Sequence, residues 1–170
     1  MALDSPRLRL YELVLEDGRS ASPFVWRIRY ALAHKRIAHE CVSLDFEHGH
    51  TAMAESWDIA EYLDRAFPEQ PPLFSSPAER SMIRLFDYWF LAGVVRPLLP
   101  VYVLDVHNAA RPVDRPYFRE SREARFGSTL EAFSADRRAR LPAIREALSP
   151  LRRQLDTQAF LGGDAPNYAD

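Results

Sequence analysis

Ser22-Pro23-Phe24-Val25-Trp26-Arg27-Ile28-Arg29-Tyr30-Ala31-Leu32 lies between two short apolar runs, Leu8 to Leu15 and His39 to Leu44. A hydroxyl residue followed by proline is a helix opening. The hydroxyl suits the N-cap, and proline suits the first helical position, where no amide is required. Phe24, Val25, Ile28, Ala31 and Leu32 then recur at helical spacing. Lys35 and Arg36 fall at the end of the helix, where cations favour its dipole. The flanking runs read as strands, the first broken at Asp17-Gly18. Strand, helix, strand in this order implies a parallel pair joined by a right-handed crossover.

Further along, Glu47-His48-Gly49-His50 reads as a turn and Thr51 to Ala54 as a short strand. Ser56 reads as the cap of a second helix, with Asp58 in its first turn and Ile59, Ala60, Leu63 and Phe67 on one face. Pro68, Pro71 and Pro72 end that helix. The expected organisation is an α/β unit over residues 1–70, a linker over 71–77 and an all-α unit over 78–170. In the last, Met82, Leu85, Phe86, Trp89 and Phe90 form one stripe, and prolines punctuate Arg96 to Pro116. A helix is expected within Tyr117 to Phe126. Leu141, Ile144, Leu148, Leu151 and Leu155 form a last stripe, restarted at Ser149-Pro150.

The chain has 170 residues, 47% of them hydrophobic, which is enough for a packed core. Lys and Arg (22) nearly balance Asp and Glu (24), so no electrostatic footprint for nucleic acid or an anionic membrane is present. Arg137-Arg138-Ala139-Arg140 reads as a solvated helix face. A single cysteine, Cys41, excludes an internal disulfide and a Cys-x-x-Cys pair. Its place in a strand predicts a buried, inert thiol. His48 and His50 lack an accompanying carboxylate or thiolate pattern, so no metal is expected. Trp57 and Trp89 are expected in the core. No apolar run reaches bilayer length and the N-terminus has no signal-peptide character, which predicts a cytoplasmic protein without nucleic-acid or membrane partners.

Three segments, in order, resemble the cytosolic glutathione transferases. Ser22-Pro23-Phe24-Val25-Trp26-Arg27 resembles their serine-bearing turn before helix one. Glu55-Ser56-Trp57-Asp58-Ile59-Ala60-Glu61-Tyr62-Leu63 resembles their acidic-residue–serine signature. Phe160-Leu161-Gly162-Gly163-Asp164-Ala165-Pro166-Asn167-Tyr168-Ala169-Asp170 resembles the hydrophobic-Gly-x-x-Pro-x-x-Ala-Asp motif of their helical domain. The Ser-Pro-aromatic-Val-Trp-Arg turn, with Tyr102-Val103-Leu104-Asp105-Val106-His107, is similar to bacterial β-etherases of lignin breakdown and their fungal relatives. The resemblance implies a thioredoxin-like domain followed by a helical domain. It implies glutathione as co-substrate, with conjugation or aryl-ether cleavage of a small hydrophobic electrophile. It also implies a homodimer formed through the linker and the first helix of the α domain, near Phe74.

By that resemblance Ser22 is the thiol-activating residue, and Ser20 is a second hydroxyl close by. Glu55 faces the amino group, and Ser56 the carboxylate, of the γ-glutamyl end. A free thiol of this type titrates near 8.5. A charged hydrogen bond is worth about 1.5–3 kcal/mol and a helix N-terminus about 0.3–1 kcal/mol. Together they can hold a thiolate at neutral pH. Residue chemistry alone leaves a second reading open at each position: Ser22 and Ser56 as plain helix caps, Glu55 as a surface acid.

Two departures from the family pattern are expected to matter. Between Phe46 and Ser56 there is no proline and no room for the family's hairpin strand and its cis-proline. The sheet should then have at most three strands, with an unprotected edge on the first. Asn167 to Asp170 reads as the start of a helix, and the sequence ends there, so the stripes of the all-α unit are expected to be partly uncovered. The alternative to an active transferase is therefore a truncated, non-enzymatic remnant or binding module of the same fold.

Overall fold

The computed structural model describes residues 8–44 and 55–170. The chain divides into two compact units, Met1–Pro72 and Leu73–Asp170. In the first, β1 (Leu8–Leu13), α1 (Pro23–His34), β2 (His39–Leu44) and α2 (Ser56–Ala66) follow one another. β1 and β2 pair in parallel, from Leu8 opposite His39 to Leu13 opposite Leu44. The strand–helix–strand reading therefore holds. The turn at Glu47–His50 and the strand at Thr51–Ala54 lie outside the described residues, as do His48 and His50.

Leu10 and Val14 of the first strand region, Ile28, Ala31 and Leu32 of α1, and Ala60 and Leu63 of α2 are all buried. The inward side of α2 is Trp57, Ala60 and Leu63. One tie between the two helices is ionic. Lys35, fully buried at the end of α1, donates from Nζ to Asp64 Oδ1 of α2 (2.7 Å) and to Pro71 O (3.1 Å). The basic residue assigned to the helix dipole is thus a core residue, held by a carboxylate one helix away.

Two local expectations are corrected. α2 begins at Ser56 itself, and Glu55 occupies the cap position without a side-chain cap bond. Cys41 is exposed rather than buried. β2 is an edge strand whose one described partner is β1, so the outward half of its alternation faces solvent.

The second unit contains α3 (Pro77–Phe90), a π-turn (Leu91–Val95), α4 (Arg96–Ala109), α5 (Arg115–Phe126), α6 (Leu130–Phe133), α7 (Arg137–Ala147) and α8 (Ser149–Leu155). Ser76 caps α3 by accepting from Glu79 N (3.1 Å), and Thr129 caps α6 by accepting from Ala132 N (3.2 Å). α3, the π-turn and α4 form one continuous helix of 33 residues, Pro77–Ala109. Prolines do not interrupt it where the sequence reading broke it. The π-turn sends the Arg96 amide to Leu91 O, so the ladder has already changed register where Pro97 withholds its donor.

Contrary to the expectation of no bilayer-length run, this helix contains an 18-residue window of mean hydropathy 1.5, long and apolar enough to cross a membrane. It also meets the requirements of a bundle helix. Ile83, Val94 and Val103 are buried along it, and so is the ionisable Asp87. The buried side of α3 is Ile83 and Asp87, and the Met82–Phe90 stripe is partly uncovered. Met82 (65% exposed), Leu85 (60%) and Trp89 (38%) face outward, which corrects the core assignment of Trp89.

The chain's last motif folds into interlocked turns. Phe160 and Gly163 exchange backbone bonds (3.1 and 3.0 Å), with Gly163 at φ +105°. A Cβ at Gly162 would collide with the Asn167 side-chain amide, which would have to shift. Asp170 accepts from the Asn167 amide (3.1 Å), the reciprocal half of a capping box. Asn167 also donates to Glu79 Oε1 (2.8 Å), and Phe74 packs on the buried Tyr168 ring (5.3 Å between centroids).

Candidate functional site

The first unit holds a cavity of about 470 Å³ between β1, α1 and α2. Every residue of β1 from Leu8 to Leu13 lines it, so both faces of the strand contribute. The cavity therefore follows the strand's edge. Among the described residues that edge has no partner other than β2 on its opposite side. Val25, Ile28, Leu32, Ile59 and Leu63 supply an apolar floor.

Three of the four residues singled out from the sequence meet in this cavity: Ser22, Glu55 and Ser56. Ser22 is the N-cap of α1. Its Oγ accepts from Val25 N across 3.4 Å, a long bond. Capping uses the hydroxyl's oxygen as acceptor and leaves its proton to donate elsewhere. Cap and thiol donor are consequently separate uses of one hydroxyl, and the two readings of Ser22 are compatible.

Glu55 and Ser56 stand at the start of α2. The first intrahelical bond there runs from Ile59 N to Glu55 O (3.1 Å), so the amides of the first turn lie ahead of the helical ladder. Such a terminus favours an anion. The cavity is thus bordered by the N-terminal ends of two helices, with the Glu55 carboxylate beside the second.

Ser20 is placed differently. It is buried, pairs with Val14 in an isolated bridge and does not line the cavity. Its carbonyl accepts from the Trp26 indole (3.0 Å), which pins the turn leading into Ser22.

The sequence reading missed an ion pair on the cavity wall. Glu12 is buried, lines the cavity and accepts from Arg29 Nε (3.1 Å) and Nη2 (2.5 Å). The Arg29 guanidinium also lies over the Trp26 ring (4.9 Å). The available signal was period: Leu10, Glu12 and Val14 share the inward side of β1, and an acid in such a row requires a cation. Cys41 Sγ lies 3.8 Å from Arg29 Nη2. Partial desolvation and the Glu12 carboxylate push its thiol pKa up despite the arginine, so it is a poor nucleophile at neutral pH. No cluster of three His, Cys, Asp or Glu suited to a metal occurs among the described residues.

Residues 81–170 match the family described as "Glutathione S-transferase, C-terminal domain". The fold is shared with solved fungal proteins. A glutathione S-transferase of Ceriporiopsis subvermispora, in complex with glutathione, superposes with a TM-score of 0.82 at 20% identity, over 95% of this chain and 82% of that one. A glutathione transferase of Phanerochaete chrysosporium gives 0.83 at 24% identity, over 97% and 81%. A bacterial glutathione S-transferase, from Rhodospirillum rubrum F11, gives 0.57 at 24% identity, over 95% and 72%. The family match spans more than half of the chain, including the stretch that closes on the Phe160–Asp170 turns: the chain belongs to the glutathione S-transferase family.

Proposed function

We propose that the protein binds glutathione in the cavity of its first unit and transfers the activated thiol to a small hydrophobic electrophile. The observation that carries this reading is the convergence of Ser22, Glu55 and Ser56 on one cavity from two helix N-termini. In this reading the γ-glutamyl carboxylate lies on the first turn of α2 beside Ser56. Glu55 takes the amino group. The sulfur lies against Ser22, whose hydroxyl donates to the thiolate while its oxygen keeps the Val25 cap. The thiolate attacks an electrophilic carbon, a C–S bond forms, and the leaving group departs with its electron pair. For an aryl ether that group is an aryloxide. Ser20 serves as a positioning residue through the turn that presents Ser22.

Glu12 faces the same cavity, and a bare carboxylate there would oppose a thiolate. Arg29 neutralises it, which keeps the wall compatible with an anionic sulfur. The finer assignment follows the sequence: a β-etherase-like enzyme, homodimeric and cytoplasmic, whose dimer uses the linker near Phe74 and the outward Met82 and Leu85 of α3.

The test is the thiol pKa of bound glutathione, read from thiolate ultraviolet absorbance against pH. With Ser22 intact it falls below the free value near 8.5. Ser22→Ala raises it by about 1–2 units, the equivalent of one charged hydrogen bond at 1.36 kcal/mol per unit. An unchanged pKa in the variant refutes the role of Ser22. Folded protein that binds no glutathione at all supports the non-enzymatic module instead.

A further inference from the structure

The cavity of the first unit is longer than its polar end. Val14 pairs with Ser20, so α1 starts beside the Leu13 end of β1. α2 starts at that end too, because Lys35 and Asp64 join the far ends of the two helices (2.7 Å). Ser22, Glu55 and Ser56 therefore mark one end of the cavity. The lining continues to Leu8 and to Leu32, the latter about 15 Å along α1 from Ser22. The six residues of β1 span about 20 Å, whereas a three-residue chain reaches about 10 Å.

The remainder of the cavity is bordered by the edge of a β-ladder. Neighbouring residues of a strand direct their N–H and C=O groups to opposite sides. Alternate residues of β1 therefore serve β2, and the others turn to the cavity side. The walls around them are apolar: Leu10, Ile28, Leu32 and Leu63. A hydrocarbon here would leave the backbone groups unpaired at a cost, whereas a second strand satisfies them and the apolar walls together.

Charge sets the direction of that strand. Arg9 is the one cation among the described lining residues and stands at the Leu8 end. It is exposed, and its Nε donates to Glu40 Oε2 (3.2 Å). Glu12 is neutralised by Arg29, and the Glu55 carboxylate, which makes no cap bond, stands at the opposite end. An acid beside Arg9 and a base beside Glu55 fit a strand antiparallel to β1. Cross-strand neighbours share a face. Residues opposite Leu8, Leu10 and Glu12 thus meet the helix floor and are apolar. Those opposite Arg9 and Tyr11 lie on the outer face, where Tyr11 is 44% exposed.

We propose that the cavity-side edge of β1 takes an extended peptide as an added antiparallel strand, apolar at alternate positions, acidic opposite Arg9 and basic beside Glu55. Main-chain bonds to the edge supply affinity, and the alternating floor contacts supply selectivity. The peptide and glutathione both reach Glu55, so each excludes the other.

The experiment is calorimetric titration of the full chain, without glutathione, with the peptide acetyl-Lys-Val-Thr-Val-Glu-Val-amide. One analogue is N-methylated at its valines, another at its threonine and glutamate. Only one of these sets of amides points at β1. One analogue therefore binds about tenfold or more weakly, and the other keeps most of the affinity. Arg9→Glu weakens the parent peptide by about threefold or more, and a peptide with lysine in place of its glutamate regains the loss. No binding by folded protein, equal loss from both analogues, or no recovery with the exchanged charge overturns the proposal. Hydrogen exchange of the free chain is a further check. Slow exchange of every β1 amide means that the edge is already filled, by this chain or a second copy, and also overturns it. Glutathione titrated into the same protein separates the two readings: glutathione bound without peptide overturns this proposal alone, and peptide bound without glutathione supports it while contradicting the transferase reading.

Discussion

Removing Asp64 strands a buried cation. The Lys35 side chain is 1% exposed and Asp64 20%, with 2.7 Å between Nζ and Oδ1. In Asp64→Ala the ammonium keeps the Pro71 carbonyl at 3.1 Å and loses its counter-charge. Breaking such a pair by removing one partner costs about 3–5 kcal/mol, because the remaining charge stays out of water. A small domain loses about 1–3 kcal/mol of stability per molar urea. The midpoint for the first unit therefore falls by about 1–5 M, measured by the far-ultraviolet dichroism of urea titrations. Replacing both partners by apolar residues, Lys35→Met with Asp64→Leu, removes the stranded charge and recovers most of the loss. The consequence for the site is direct: the pair joins the end of α1 to α2, the helices whose opposite ends carry Ser22 and Glu55–Ser56. A midpoint for Asp64→Ala within error of the wild type refutes the reasoning, and so does a double variant no better than the single one.

The Glu131 carboxyl, hydrogen-bonded to Arg119, is held down at about 2. A depressed folded-state pKa contributes stability above the unfolded value near 4.5 and loses it as pH falls toward 2. Thermal melts of wild type and Glu131→Gln should therefore differ by a constant amount above about pH 5 and converge near pH 2. Gly162→Ala drives a Cβ into the Asn167 amide and displaces its bond to Glu79, so it destabilises the helical unit by about 1–3 kcal/mol in denaturant titrations. Glu55→Gln removes the charge that faces the glutathione amino group and weakens glutathione binding by about tenfold in calorimetry, without moving the melting temperature. Equal affinity in that variant removes Glu55 from the site.

Much of this architecture is written locally in the sequence. Ser22-Pro23 specifies its helix start with two residues, and the Asn167–Asp170 capping box folds as its spacing implies. The restart at Ser149-Pro150 is likewise local, and α8 begins there. What failed to read through depended on partners distant in sequence. Lys35 became a core residue because Asp64 lies 29 positions later, and Glu12 because Arg29 lies 17 later. The buried side of α3 was hidden for a different reason. Met82 and Leu85 form a regular row, but Ile83 with Asp87 faces inward, and a buried acid breaks any pattern based on hydrophobicity. Prolines at 97 and 100 misled because a π-turn absorbed the first of them.

The candidate site divides in the same way. Ser22 and Glu55–Ser56 were readable as helix starts, and the cavity is where the two starts meet. Its wall was not readable, since Glu12 and Arg29 acquire meaning only once β1 and α1 are packed.

The central claim is that this cavity takes glutathione and that Ser22 governs its thiol. Calorimetric titration of the full, folded chain with glutathione tests it most directly, with Ser22→Ala alongside. The account predicts a single saturable site in the wild type, and proton release on binding at neutral pH that is largely lost in the variant. No heat of binding from a wild-type sample with intact far-ultraviolet dichroism contradicts it, as does identical proton release from both proteins.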